Sequence, residues 1–149
     1  MTTGDGVVTL SMEHFEELLR LAEQGDAKAQ YNLGVMYRKG HGVPQNDAEA
    51  VKWYRKSAEQ GDAHAQFNLG FMYNNGKGVP QNDAEAVKWY RKAAEQGYAW
   101  AQYKLGVMYA NGGGVPQNDA EAIKWFRMAA DQGHRVDDVN EWLERLEAK

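Results

Sequence analysis

Two groups of residues in this 149-residue chain have the types that acid–base or metal chemistry uses. One is the histidines, His14, His41, His64 and His134. The other is the pair Asp47 and Glu49, repeated as Asp83/Glu85 and Asp119/Glu121. A helix-borne metal site needs two histidines one turn apart, as in HxxxH or HExxH, and no pair here has that spacing. His41 and His134 fall where exposed turns are expected. A nucleophile is also missing: cysteine is absent, and Ser11 and Ser57 fall in a cap and inside a helical pattern. Asp47 and Glu49 follow Asn46 at the start of a helical pattern. There a side-chain oxygen can cap free N–H groups, and carboxylates suit the positive end of the helix dipole. Capping accounts for both, with Asn46 and Glu49 reading as a capping box. No catalytic residue, metal ligand or cofactor site is expected.

The elements around these residues recur. The stretch GVPQNDAEA occupies Gly42–Ala50, Gly78–Ala86 and Gly114–Ala122, each copy 36 residues after the last. Residues 27–62 and 63–98 align without a gap and agree at 28 of 36 positions, and 99–134 agrees with the second copy at 25 of 36. Copies this similar must fold alike, which points to a stacked array.

Each copy holds two helical patterns. In the first, Ala27–Lys39, the residues Ala29, Leu33 and Tyr37 lie on one side with Gly34 beside them. In the second, Asp47–Gln60, the residues Ala50, Trp53, Tyr54 and Ala58 form the apolar stripe. Gly40 and Gly42 break the first helix, Pro44 forbids its extension, and Val43 reads as a small apolar anchor. Gly61, with its equivalents Gly97 and Gly133, has the place of a helix C′ residue. Short turns of this kind imply antiparallel pairs. Gly34, Gly70 and Gly106 sit inside helices, where glycine is unfavourable, so their repetition suggests close approach of a neighbouring helix; no phosphate-binding fingerprint surrounds them.

The ends are variants. Residues 1–10 read as a disordered segment. Residues 11–26 read as an N-terminal capping helix with Phe15, Leu18, Leu19 and Ala22 buried. Residues 135–149 read as a C-terminal capping helix with a seam of Val136, Val139, Leu143 and Leu146. Residues 11–149 thus form one solenoid domain.

Hydrophobic residues make up 43% of the chain, charged residues 26%, and the net charge is −4, a soluble-domain balance with no electrostatic reason to bind nucleic acid. No window is apolar enough to span a membrane. The first residues lack a basic region followed by an apolar run, so a cytoplasmic protein is expected, the alternative being an exported one whose signal is absent from this chain. The basic residues Lys52, Arg55, Lys56, Lys88, Arg91, Lys92, Lys124 and Arg127 are interleaved with acids and read as a solvated helix face. Trp53, Trp89 and Trp125, identically placed in each copy, read as core.

From about residue 11 to 134 the chain resembles the Sel1-like repeat family, relatives of the tetratricopeptide repeats. The residues carrying this in the first copy are Ala29, Leu33–Gly34, Tyr37, Gly40–Val43, Asp47, Ala50, Trp53, Ala58 and Gly61; Ser57 departs from an alanine pair that later copies keep as Ala93–Ala94 and Ala129–Ala130. Tetratricopeptide repeats have about 34 residues, so the period of 36 favours the Sel1-like branch. The resemblance implies an all-α, right-handed α-solenoid of antiparallel helix pairs with helical caps. It also implies an adaptor role, holding a protein or peptide in a concave groove lined by the first helix of each pair. Some cysteine-rich members, with a disulfide in each repeat, are linked to β-lactam binding; with no cysteine here that activity does not carry over.

Comparing the copies picks out candidate contacts. Core positions repeat because the same neighbour packs on them, whereas a face that meets solvent or ligand need not. The varying positions are Lys28/His64/Trp100, Asn32/Asn68/Lys104, Val35/Phe71/Val107 and Lys39/Asn75/Asn111, which share one side of the first helix. Phe71 and Trp100 are the expected anchors, and the asparagines suit an extended peptide backbone. The expectation is a non-enzymatic, monomeric binder of a protein or peptide. The alternatives are a small-molecule (β-lactam-like) binder or hydrolase, and a consensus-like or engineered scaffold without a native partner.

Overall fold

A computed structural model describes the backbone of residues 4–149, with side chains from residue 13 onward. Among the described residues there are eight helices and no strand: α1 (Gly4–Glu23), α2 (Ala27–Lys39), α3 (Asp47–Glu59), α4 (Ala63–Asn75), α5 (Asp83–Glu95), α6 (Ala99–Asn111), α7 (Asp119–Asp131) and α8 (Val136–Glu147). Each packs chiefly on its neighbours in sequence, α2 on α3, α4 on α5 and α6 on α7 forming the three repeats of a right-handed solenoid. None is long and apolar enough to cross a membrane.

The N-terminal expectation needs correcting. Helix α1 begins at Gly4, so residues 4–10, expected as disordered, are helical; residues 1–3 lie outside the described residues. Once a helix is nucleated, each further turn adds one hydrogen bond per residue fixed, and no proline intervenes before Gly4. The expected stripe on α1 holds: Leu18 and Ala22 are buried, with Phe15 and Leu19 partly so. The C-terminal seam is shifted. Val139 and Leu146 are buried, but Val136, in the first turn of α8, is 40% exposed. Trp142 joins the seam instead, its ring stacked on Phe126 at 5.4 Å.

The repeated turn does what its residues dictate, and more. Asn46 caps α3 by accepting from the Glu49 N–H at 3.1 Å. The second half of a capping box is replaced: the Asn46 N–H donates to Tyr37 C=O at 2.8 Å, tying the turn back to α2. At the other boundary, Asp62 N–H donates to Ser57 C=O and Gly61 N–H to Ala58 C=O, the Schellman pattern, with Gly61 at φ 100°. Gly78, at φ 72°, also packs on the preceding repeat, where a Cβ would lie 2.4 Å from Asp47 C=O. The turn of one repeat therefore seats on the start of the second helix of the repeat before it.

Inside each pair, the first helix offers a glycine to an aromatic ring. A Cβ on Gly34 would lie 2.6 Å from the Tyr54 ring, one on Gly70 2.8 Å from Tyr90, and one on Gly106 2.8 Å from Phe126. All three rings are fully buried. Between pairs runs a ladder of amides. Gln96 donates to Gly61 C=O and to Gln66 Oε1, both at 2.8 Å, while Gln66 donates to Ala58 C=O at 3.2 Å. Gln60 with Gln30, and Gln132 with Gln102, repeat the same bonds. Gln30, Gln66 and Gln102 are buried, and these bonds satisfy them.

Two predictions follow from the glycine contact. Gly70→Ala, though it raises helix propensity, should destabilise by about 1–3 kcal/mol because the buried ring has nowhere to go. Tyr90→Phe should leave stability unchanged or raise it. The Tyr90 hydroxyl is enclosed without a hydrogen-bond partner, burial pushes its pKa upward, and Phe126 already fills the equivalent place. Urea unfolding of the two variants against the parent checks both; a stable Gly70→Ala would remove the steric account.

Candidate functional site

The varying stripe is the accessible side of the first helices. Lys28, Lys39, His64, Asn75, Trp100 and Asn111 are exposed, and Asn32, Val35, Asn68, Phe71, Lys104 and Val107 are half-buried. The repeated positions beside them, Ala29, Gln30, Leu33 and Gly34 on α2, are buried. Four of the twelve varying residues meet in one cavity of about 310 Å³, lined by Arg38 of α2, Phe67, Asn68 and Phe71 of α4, and Trp100 and Lys104 of α6. The other eight do not line it.

Arg38 and Phe67 were not among the expected contacts. Arg38 could have been found by the same comparison, since its equivalents are Asn74 and Ala110. Phe67 could not, because its position stays aromatic in every copy (Tyr31, Phe67, Tyr103) and so looks like core.

Neighbouring rings hold the cavity walls. Trp100 meets the His134 ring at 4.4 Å and Tyr103 at 6.4 Å, both edge-on, and the Arg135 guanidinium lies 5.1 Å from its centroid. Packing on its own chain thus fixes Trp100 while leaving it 38% exposed. Phe67 meets Tyr98 edge-on at 5.2 Å and Tyr90 at 5.5 Å. Tyr98 stands where Asp26 and Asp62 cap the earlier first helices; it makes no side-chain cap, and serves the aromatic cluster instead. His134, expected as an exposed turn residue, is half-buried against Trp100 with Nε2 enclosed.

A second cavity, about 440 Å³, opens between α3 and α5 and is lined in part by Arg55, Glu59, Lys88, Trp89 and Lys92. Its cations are already engaged. Arg55 donates to the Tyr73 hydroxyl, and the ammonium groups of Lys88 and Lys92 lie 5.1 and 5.6 Å from the Trp89 ring. Trp53, Trp89 and Trp125 are 4% exposed, as core residues should be. Among the described residues no group of three His, Asp or Glu side chains could hold a metal ion.

The Sel1 repeat family model matches residues 27–62, 63–98 and 101–134, most of the chain. The chain belongs to the Sel1 repeat family. Among solved structures, a Sel1 repeat protein from Oxalobacter formigenes is 40% identical, with a TM-score of 0.80 over 92% of this chain and 58% of that one. The c5321 protein, a protective antigen in uropathogenic Escherichia coli strains displaying an SLR fold, is 49% identical, with a TM-score of 0.78 over 80% of this chain and 26% of that one. Helicobacter pylori cysteine rich protein B shares the fold at 21% identity, with a TM-score of 0.66. Curated relatives match over single repeats. The DAP3-binding cell death enhancer 1 of Rattus norvegicus is 50% identical over 36 residues, 24% of this chain and 7% of that protein. The putative sel1-like repeat-containing protein L18 of Acanthamoeba polyphaga mimivirus is 45% identical over 42 residues, 28% of this chain and 7% of that protein. This chain therefore matches only a small part of either curated relative's length. Sel1 repeats are commonly protein-interaction scaffolds, and the family is typically non-catalytic.

The His134 contact in this Sel1 repeat array makes its stability depend on pH. Burial first, and then the Arg135 charge, hold the imidazole below its ordinary value. Between that lowered value and about 6.5, the unfolded chain binds more protons than the folded one, so stability is complete above about pH 6.5 and is lost as pH falls below it. Melting temperatures measured from about pH 8 down to about pH 5 should fall less steeply in His134→Gln than in the parent. Identical slopes would show that the imidazole carries no such linkage.

Proposed function

We propose that this Sel1 repeat chain is a non-catalytic adaptor that binds a protein or peptide segment along the face formed by α2, α4 and α6. The observation that supports the reading is the cavity of about 310 Å³ that crosses all three first helices. Five of its six lining residues change type between repeats, while Leu33, Leu69 and Leu105 beneath do not. Variation confined to the accessible side is what a recognition surface superposed on a repeated core requires. Phe71 and Trp100 supply partly exposed aromatic area, the kind of side chain on which binding energy concentrates. The rings around them are held by their own neighbours, so little ordering is needed on association.

The chain itself provides mild replacements for a test. Phe71→Val installs the residue found at Val35 and Val107, and Trp100→His the residue found at His64. The double variant should keep the parent's helical circular dichroism and melt within a few degrees of it. A crosslinked pull-down from lysate of the source cells should then recover a partner with the parent and lose it with the variant. A partner retained equally by both would place binding on another surface and end this reading.

A further inference from the structure

The three first helices differ from the rest of the molecule in charge. Helices α2, α4 and α6 together contain none of the chain's 21 acidic residues. They carry Lys28, Arg38, Lys39 and Lys104, four of its 17 basic residues. The other 13 basic residues and all 21 acids lie elsewhere, so a chain of net charge −4 presents a cationic set of first helices. Two of those cations, Arg38 and Lys104, line the cavity, one on α2 and one on α6, on either side of the apolar surface of Phe67 and Phe71. Both are half-buried, and among the described residues neither has a carboxylate partner. The Arg38 guanidinium lies near the buried Tyr54 hydroxyl, a neutral neighbour that supplies no counter-charge, and its enclosed Nε–H has no hydrogen-bond partner. Two more cations sit over the aromatic walls, Lys77 at 6.0 Å from the Phe71 ring and Arg135 at 5.1 Å from Trp100. Arg135 already pairs with Asp138 and Lys77 does not line the cavity, so Arg38 and Lys104 are its two lining cations, neither with a carboxylate partner among the described residues.

Partly desolvated cations without counter-charges are costly unless a ligand supplies them. From this charge complementarity we infer that the segment bound on this face is an acidic peptide, one large apolar side chain flanked by Asp or Glu, with the apolar side chain between Phe71 and Trp100 and the carboxylates on Arg38 and Lys104. The cavity, at about 310 Å³, has room for a large apolar side chain, and the amide of Asn68 in its lining can bond an extended backbone. A nucleic acid fits less well, because few cations line the site and the remainder of the molecule is acidic enough to repel a phosphate chain. The inference rests on the adaptor reading and specifies its ligand.

Selection of a random-peptide phage library against the full chain tests it, followed by fluorescence polarisation of the fluorescein-labelled winners. The variants again use residues present in other repeats: Arg38→Asn, as at Asn74, and Lys104→Asn, as at Asn32 and Asn68. Lys88→Gln/Lys92→Gln, in the second cavity, is the control. The expected winners are rich in Asp and Glu around an aromatic or long aliphatic residue. Their affinity should fall about tenfold or more in Arg38→Asn/Lys104→Asn, weaken with added salt, and survive in the control. Winners that depend on Phe71 but show no acidic enrichment and bind Arg38→Asn/Lys104→Asn unchanged would overturn the acidic ligand and leave the adaptor reading intact. No winner sensitive to Phe71→Val or Trp100→His would overturn both. A labelled single-stranded oligonucleotide that binds as tightly as the peptides, and through the same two cations, would overturn the peptide as the ligand class.

Discussion

The solenoid depends on one contact made three times: a glycine in the first helix of each pair against a buried ring in the second. Gly34 on Tyr54, Gly70 on Tyr90 and Gly106 on Phe126 leave no room for a methyl group. Glycine in a helix interior costs roughly 1 kcal/mol relative to alanine. Its recurrence makes sense because it lets a full aromatic side chain lie against the partner's backbone. That sets the distance between the two helices of a pair. Every later dimension of the stack is built on it.

The second constraint joins pair to pair. A repeat of two helices cannot bury both of its faces alone, so its stability is tied to its neighbours. Here the joint is partly polar. The buried Gln66 reaches across the boundary to the Ala58 carbonyl in the last turn of the preceding second helix, and the exposed Gln96 bonds the Gly61 carbonyl just beyond that helix and the Gln66 amide. Directional bonds of this kind fix the rotation between repeats, which apolar packing alone leaves looser. The turn adds a steric stop, with Gly78 and Gly114 pressed on the carbonyls of Asp47 and Asp83. The nine repeated letters are therefore a turn, a helix start and an interface between repeats.

Because the scaffold consumes the repeated residues, the varied ones are free to serve something else. They collect on the more accessible side of the first helices, and their chemistry is uneven. The second helices set their cations on tryptophan rings and tyrosine hydroxyls. On the first helices, Arg38 lies near the Tyr54 hydroxyl, and neither it nor Lys104 has a carboxylate partner among the described residues.

Much of the fold was legible in the chain itself. The 36-residue period, Pro44 and the glycines around it, the Asn46 cap and the apolar stripes specify three helix pairs, because each is a local rule read within a few residues. Comparing copies separated the buried side of α2, α4 and α6 from the open one, since an identical neighbour demands an identical residue. Other features needed the packed structure. Whether residues 4–10 continue α1 is a matter of helix propagation that no cap or breaker marks. Trp142 replaces Val136 in the last seam because the docking of α8 on α7 chooses which side turns inward. Only tertiary contact brings Arg38, Phe71 and Lys104, from three repeats, to one cavity. The amide ladder likewise joins residues 30 and 35 apart, a separation that no pattern within one helix can encode. Local backbone preference and periodic burial are properties of the chain, while a shared cavity and an inter-repeat bond exist only once separate segments are held side by side.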